Sequence, residues 1–413
     1  MHRGLALRSY LAATHLIPLV AKPILRRRLN RAKEHPRRWQ EKLGRDLAPR
    51  PAGPLIWIHA VGLGEVLSVR GLIDRLAKLR PNLSFLVTST TAASAEVFAK
   101  QAPARTLHQF LPLDAPPYRK RFLDHFAPDL CIWLEQDLWP GMVSDLAARG
   151  LPQCMVAARM NARSHRSHQR VAPLYRDLYD AMAVITAQDA ATAAHLGSLG
   201  AKALVTGSLK PAAPPLSCDA AELTRLQTAL AGRRVWAVAP AHPEDIERAR
   251  GAHRELCQTD PAALLIIAPR FPEAEIAVEG ARRSRGDIPG PDDAIWLCDT
   301  YGDLGLVYRL AQAVLIGGTY SSIEGHNPWE AAALGCAILH GPHTANFAAD
   351  YAQLDACGGA VLAKTTQSIV SALVSGTLPQ TAANAARAIA GASKQTDTLA
   401  VELLHLLEAA HDG

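Results

Sequence analysis

An alternation that occurs twice constrains this chain more than any other feature. Short apolar runs at 55–60, 84–88, 130–134, 154–157, 183–186 and 203–206 are separated by helix-patterned stretches such as 65–79, 92–101 and 118–126. The rhythm restarts with apolar runs at 235–239, 264–268, 295–297, 314–317 and 337–339, and helix-patterned stretches at 244–256, 303–311 and 327–335. Strand, helix, strand in succession predicts parallel sheets with helices on both faces. Between the halves, Lys210-Pro211-Ala212-Ala213-Pro214-Pro215 sets prolines where neither a helix interior nor a central strand tolerates them. The 413 residues are enough for two cores. The expected organisation is an amino-terminal segment 1–50, a doubly wound α/β domain 51–209, a linker 210–216 and a second such domain 217–413. The Ala- and Leu-rich stretch 382–407 reads as a helix placed to return to the first domain.

Charge is unevenly distributed. The chain carries a net +6, yet residues 1–50 hold thirteen Lys and Arg against three acids, so the remainder is net acidic. Basic character confined to one segment argues against a nucleic-acid partner, which would need cations spread over a binding face. The apolar stretch 5–25 is interrupted by Arg8, His15 and Lys22, too polar for a confident spanning helix, and lacks the small-residue cleavage site of a signal peptide. Arg26-Arg27-Arg28, Arg31, Lys33, Arg37, Arg38 and Lys42 follow directly. The segment reads as an interfacial helix held to anionic lipid or as an ordinary helix with a solvated face; the first is favoured, because cations near such a surface contribute about 1 kcal/mol each. Seven scattered cysteines with no CxxC pair argue against a disulfide framework or a zinc site and for a reducing, cytoplasmic environment.

In tandem α/β domains, ligands meet the carboxyl ends of the strands across a cleft. Five polar constellations are expected at those ends. Gly62-Leu63-Gly64-Glu65 follows the first apolar run, and Glu65 at a helix start is either a base for a hydroxyl proton or a plain capping residue. Glu135-Gln136-Asp137 follows the run 130–134, and is either a pair of site acids or a capping loop with Asp137 as the cap. Asn161-Ala162-Arg163 suits a phosphate or carboxylate, although surface charge explains it at least as well. His242 and Arg270 end adjacent predicted strands between stiffening prolines, as site groups or as polar tips of rigid turns. The strongest is Gly317-Gly318 with Gly325-His326-Asn327-Pro328-Trp329-Glu330: a glycine-lined helix start for phosphate, with Asn327 as cap, Pro328 as first helical residue and Glu330 placed for a ribose diol. No P-loop, G-x-S-x-G, DxD or paired His/Cys pattern is present, so chemistry without a bound metal or other cofactor is expected, with Arg, Lys and helix dipoles meeting the leaving-group charge.

Taken together these motifs resemble the 3-deoxy-D-manno-octulosonic acid (Kdo) transferases of lipopolysaccharide synthesis, in order over nearly the whole chain. The resemblance covers the basic-flanked amino terminus, Trp57 to Glu65, Glu135 to Pro140, Asn161-Ala162-Arg163 and Gly207-Ser208-Leu209-Lys210. It continues through Pro269-Arg270, Asp299 to Leu304, Gly317-Gly318, Gly325 to Glu330 and Gly341 to Phe347. It implies a GT-B fold, two Rossmann-like domains facing a cleft, and inverting transfer of Kdo from CMP-Kdo to a lipid A precursor (lipid IVA) at the cytoplasmic face of the inner membrane. By that resemblance Glu65 is the general base. Donor binding falls to Arg270, Gly317, Gly318, His326, Asn327, Glu330, His242 and Lys210, and acceptor or sugar binding to Glu135, Asp137, Asn161 and Arg163. The chain departs from the family pattern at Gly62, Leu63, Gln136-Asp137, Ser208 and Pro240-Ala241. These departures leave open a paralogue with an altered acceptor or lost activity, and the architecture leaves open a nucleotide-sugar epimerase.

Overall fold

A computed structural model describes residues 3–412 apart from 101 and 279. The expected helix 92–101 runs as Ala92–Lys100; its last expected residue, Gln101, lies outside the described residues. The chain divides into two compact units, Met1–Ala213 with Ala392–Gly413, and Pro214–Gly391.

The first unit holds a seven-stranded parallel sheet of β1 (Leu55–His59), β2 (Ser84–Ser89), β3 (Thr106–Phe110), β4 (Leu130–Leu134), β5 (Gln153–Ala158), β6 (Val184–Ala187) and β7 (Leu204–Val205). Their order is β3-β2-β1-β4-β5-β6-β7. The central strands are buried throughout and mostly apolar, as strands covered by helices on both faces must be. Ile56, Ile58, Phe85, Val87 and Ile132 pack on one side; Leu55, Trp57, Leu86, Cys131 and Trp133 pack on the other. The sheet's direction of growth reverses between β1 and β4, the topological switch point at which open α/β sheets bind ligands.

The second unit repeats the plan with β8 (Val235–Ala241), β9 (Leu264–Pro269), β10 (Ala281–Arg282), β11 (Ile295–Leu297), β12 (Ala313–Ile316), β13 (Ala337–His340) and β14 (Ala360–Leu362), ordered β10-β11-β9-β8-β12-β13-β14. Its switch point lies between β8 and β12. Two doubly wound domains were expected and two are present.

The amino-terminal segment is part of the first unit. Leu7, in the helix Leu5–Thr14, is wholly buried with Trp57, Phe122 and Met142, and the Gly4 amide donates to Asp177 at 2.7 Å. The second expected domain, 217–413, needs correction. The helix Leu378–Asp412 contributes Ala385 to the second unit's core, while Leu399, Leu403 and Leu407 belong to the core of the first. Residues 392–413 therefore leave the second domain. The linker 210–216 is partly structured: Lys210–Ala212 forms a 3-10 turn, and the units divide after Ala213. The expected helix 65–79 is two helices, Leu63–Ser68 and Arg70–Leu79.

Candidate active site

In the first unit the candidate groups gather at the carboxyl edge around the β1/β4 switch. Glu65 is the third residue of the helix Leu63–Ser68, and its Oε2 accepts the Val61 amide at 2.8 Å and the Gly62 amide at 3.3 Å. The carboxylate is thus fixed by the backbone that ends β1, satisfying donors that a helix start leaves open. Glu135, immediately after β4, adopts φ +60, an unusual left-handed conformation for a side-chain-bearing residue. Its amide is anchored on the Val156 carbonyl at 2.9 Å. Its Oε1 lies 3.9 Å from Lys210 Nζ and accepts Gln188 Nε2 at 3.4 Å. Burial pushes the Glu135 carboxyl above its ordinary range; Lys210 and Arg159 pull it down, and Glu65 pushes it further up. The sequence set Glu65 and Glu135 at strand ends and Lys210 in the linker as a donor contact; the fold places all three in one electrostatic field.

Asp137 has a different neighbourhood from the capping role first considered. The helix Pro140–Ala148 is capped at Trp139. Asp137 Oδ2 instead meets His59 Nε2 at 3.1 Å and accepts Trp139 Nε1 at 3.0 Å. Burial acts to raise the Asp137 carboxyl, but these contacts outweigh it and hold it below its ordinary value. Asn161 caps the helix Ala162–Gln169 through Ser164 at 2.8 Å, and Arg163 is exposed on that helix. Arg159, just upstream, is the arginine felt at Glu135. His59 and Gln188 were missed; the only signal was a polar residue closing or following an apolar run.

In the second unit the candidates gather around the β8/β12 switch. The His242 and His326 rings are parallel within 3°, and their Nε2 atoms lie 2.8 Å apart. Burial, then His242 and Arg270, push the His326 imidazole down to about 4. Asn327 Oδ1 accepts the Trp329 amide at 3.1 Å, and its Nδ2 donates to Glu330 at 3.2 Å. Burial raises the Glu330 carboxyl, against the pull of Asn327 and Arg270. Arg270 itself is exposed. Beside His242 and Phe271 runs an open groove of about 640 Å³, lined also by Ile246, Arg250 and Arg254.

The glycine pair works differently from the phosphate cradle first expected. The Gly318 amide donates to Asp245 Oδ2 at 2.7 Å, and that oxygen also accepts the His242 amide at 2.9 Å. Asp245 is fully buried and was missed, although it stands three residues after His242. Gly317 lets the end of β12 lie against β8, for a Cβ there would sit 1.8 Å from the Pro240 carbonyl oxygen. The helix expected at 327–335 is the single turn Trp329–Ala332, with Glu330 its second residue and Pro328 outside it. These glycines therefore join the two strand ends and set His242 beside His326.

Residues 37–213 match the family described as 3-deoxy-D-manno-octulosonic-acid transferase (kdotransferase). The chain is 34% identical over 362 residues to the probable mitochondrial 3-deoxy-D-manno-octulosonic acid transferase of Arabidopsis thaliana, covering 82% of this chain and 80% of the plant protein. It is 31% identical over 301 residues to the 3-deoxy-D-manno-octulosonic acid transferase of Rickettsia typhi, covering 70% of this chain and 65% of that protein. Among solved structures, UDP-GlcNAc 2-epimerase from Neisseria meningitidis bound to UDP-GlcNAc aligns with a TM-score of 0.56 at 15% identity, over 85% of this chain and 99% of the epimerase. At that identity the likeness concerns the fold alone. The extended match to the transferases carries more, and on it the chain belongs to the 3-deoxy-D-manno-octulosonic acid transferase family of glycosyltransferases.

Proposed function

We propose that this chain transfers Kdo from CMP-Kdo to a lipid A precursor at the cytoplasmic face of the inner membrane. The observation that carries the reading is the Glu65–Glu135–Lys210 cluster at the β1/β4 switch of a family member. Glu65 takes the proton of the acceptor hydroxyl as its oxygen bonds to the anomeric carbon of Kdo. The bond from that carbon to the phosphate breaks in the same displacement, CMP leaves with the electron pair, and the anomeric centre inverts. Lys210 and Arg159 supply fixed positive charge for the sugar carboxylate or phosphate, Glu135 orders Lys210, and Asn161 and Arg163 extend the polar edge toward the acceptor. In the second unit Arg270, with the His242–His326 pair, receives the nucleotide phosphate; Asn327 and Glu330 receive the ribose, and Gly317 and Gly318 keep these groups close.

Membrane contact is supported by a stripe on the amino-terminal helices. Leu16, Leu19, Val20 and Ile24 are exposed, and Arg26, Arg27 and Arg28 follow them. No helix among the described residues is long and apolar enough to cross a membrane, so the contact is interfacial. The test is the product mass after incubating purified protein with CMP-Kdo and a tetra-acylated lipid A precursor. A mass increase of one or more Kdo units is expected; unchanged acceptor overturns the reading.

A further inference from the structure

His59 closes β1 on the face that carries Trp57 and Trp133, and none of its surface is exposed. A buried imidazole whose nitrogens lack partners is strongly destabilising. Both nitrogens are partnered. Nδ1 lies 2.9 Å from Thr88 Oγ1, and that hydroxyl accepts Trp57 Nε1 at 2.9 Å. Nε2 lies 3.1 Å from Asp137 Oδ2, which also accepts Trp139 Nε1 at 3.0 Å. An indole N–H can only donate and a carboxylate can only accept, so Trp57 donates to Thr88 and His59 Nε2 donates to Asp137; in the neutral ring Nδ1 then accepts from the Thr88 hydroxyl. The ring is also held edge-on by Trp133 at 5.7 Å and Trp139 at 6.4 Å. For the neutral ring, one orientation and one tautomer satisfy both partners.

The segment held by this chain is the turn from Glu135 to Asp137. Its first residue carries φ +60, a conformation that persists only where the surroundings over-determine it. The Glu135 amide is anchored on Val156 at one end of the turn; the carboxylate of Asp137 on His59 anchors the other. We propose that His59 is a positioning residue for sugar transfer: acting through Asp137, it holds the turn that presents the Glu135 carboxylate to Lys210 and Glu65. The proposal rests on the transferase reading above, in which that cluster meets the reacting groups.

The test uses the full chain with CMP-Kdo and the lipid A precursor. His59→Phe keeps a ring between the tryptophans and removes both nitrogens; Asp137→Ala removes the other partner from a half-exposed position. Each is expected to lower kcat about tenfold to hundredfold, the scale of a small displacement in a reacting cluster, with KM for CMP-Kdo within about twofold. The double variant is expected to be no worse than either single, because both remove one contact. His59→Gln, whose amide N–H can still reach Asp137, recovers most of the loss. Undiminished kcat in either single variant, or losses that multiply in the double, overturns the proposal. If His59→Phe fails to fold, Asp137→Ala decides alone. A wild-type chain that transfers nothing overturns the transferase reading and the proposal with it.

Discussion

His242 and His326 share a hydrogen bond between their Nε2 atoms, 2.8 Å apart, with their rings parallel. One nitrogen must carry the hydrogen and the other must not, so the pair loses its bond when both are protonated. The His326 imidazole titrates near 4, against about 6.5 for an ordinary histidine. Between those values the folded chain binds fewer protons than the unfolded chain. The stability contributed by the neutral ring is therefore intact above about pH 6.5 and lost as pH falls toward 4. His108, pushed down to about 3 by burial and then Arg38, acts with the same sign. The comparison of wild type with His326→Gln isolates the pair: the variant's melting temperature should fall less steeply between about pH 6.5 and 4. Parallel curves would refute this account of the pair.

Glu65→Gln separates a base from a cap. Glutamine can still accept the Val61 and Gly62 amides, so the melting temperature should change by less than the equivalent of about 1 kcal/mol. The transfer rate should fall by about 10² to 10⁴, with CMP affinity by calorimetry unchanged. A variant that retains the wild-type rate reduces Glu65 to a helix cap.

The balance at Glu135 predicts a pH effect. Burial raises this carboxyl and Lys210 opposes it. Lys210→Met removes the opposition, so Glu135 should hold its proton to higher pH. The acidic limb of the kcat/KM profile is expected to move to higher pH, beyond any uniform loss of rate. A profile that falls in height without shifting would show that Lys210 does not set the protonation of Glu135.

The strand-end glycines should respond to a single methyl group. In Gly317→Ala the new Cβ meets the Pro240 carbonyl, a backbone atom that cannot swing aside. A loss of about 1–3 kcal/mol by urea unfolding is expected from overpacking. Gly318→Ala must adopt φ +73 and meets Ile323, and should lose about 1–2 kcal/mol from the left-handed backbone alone. Gly64→Ala, inside a helix with open space at its Cβ, should lose nothing.

These glycines also mark how far the sequence was legible. The central strands were readable because burial on both faces leaves uninterrupted apolar runs such as 130–134 and 264–268. The outer strand Thr106–Phe110 was not, because the polar Thr106, His108 and Gln109 leave no apolar run. Glycines near a polar loop read as a phosphate cradle, since sequence shows that an amide is available but not which acceptor takes it. Asp245 took that amide from 73 residues away. His59 and Asp137, 78 residues apart, were invisible as a pair for the same reason: parallel sheets bring together strand ends that local pattern cannot relate.

The amino-terminal helices make the last prediction. In the helix Ile17–Leu29, Ala21 and Leu25 face inward with the partly buried Ile17, against Leu43, Ala115 and Tyr118. One residue earlier at each step, Leu16, Val20 and Ile24 form a second stripe that stays exposed at 64%, 50% and 52%. Residues four apart share a helix face, so the outer stripe is continuous, and Arg26 and Arg27 follow it in sequence. Leu16→Asp with Ile24→Asp should abolish sedimentation with anionic vesicles while leaving the melting temperature within a few degrees. Arg26→Gln with Arg27→Gln should weaken binding roughly tenfold or more at low salt and little at high salt, because these charges act through a screened surface potential. Leu7→Asp, a substitution in the core of the first unit, should instead unfold it. Vesicle binding that survives both pairs of substitutions would show that neither the outer stripe nor these arginines carry it.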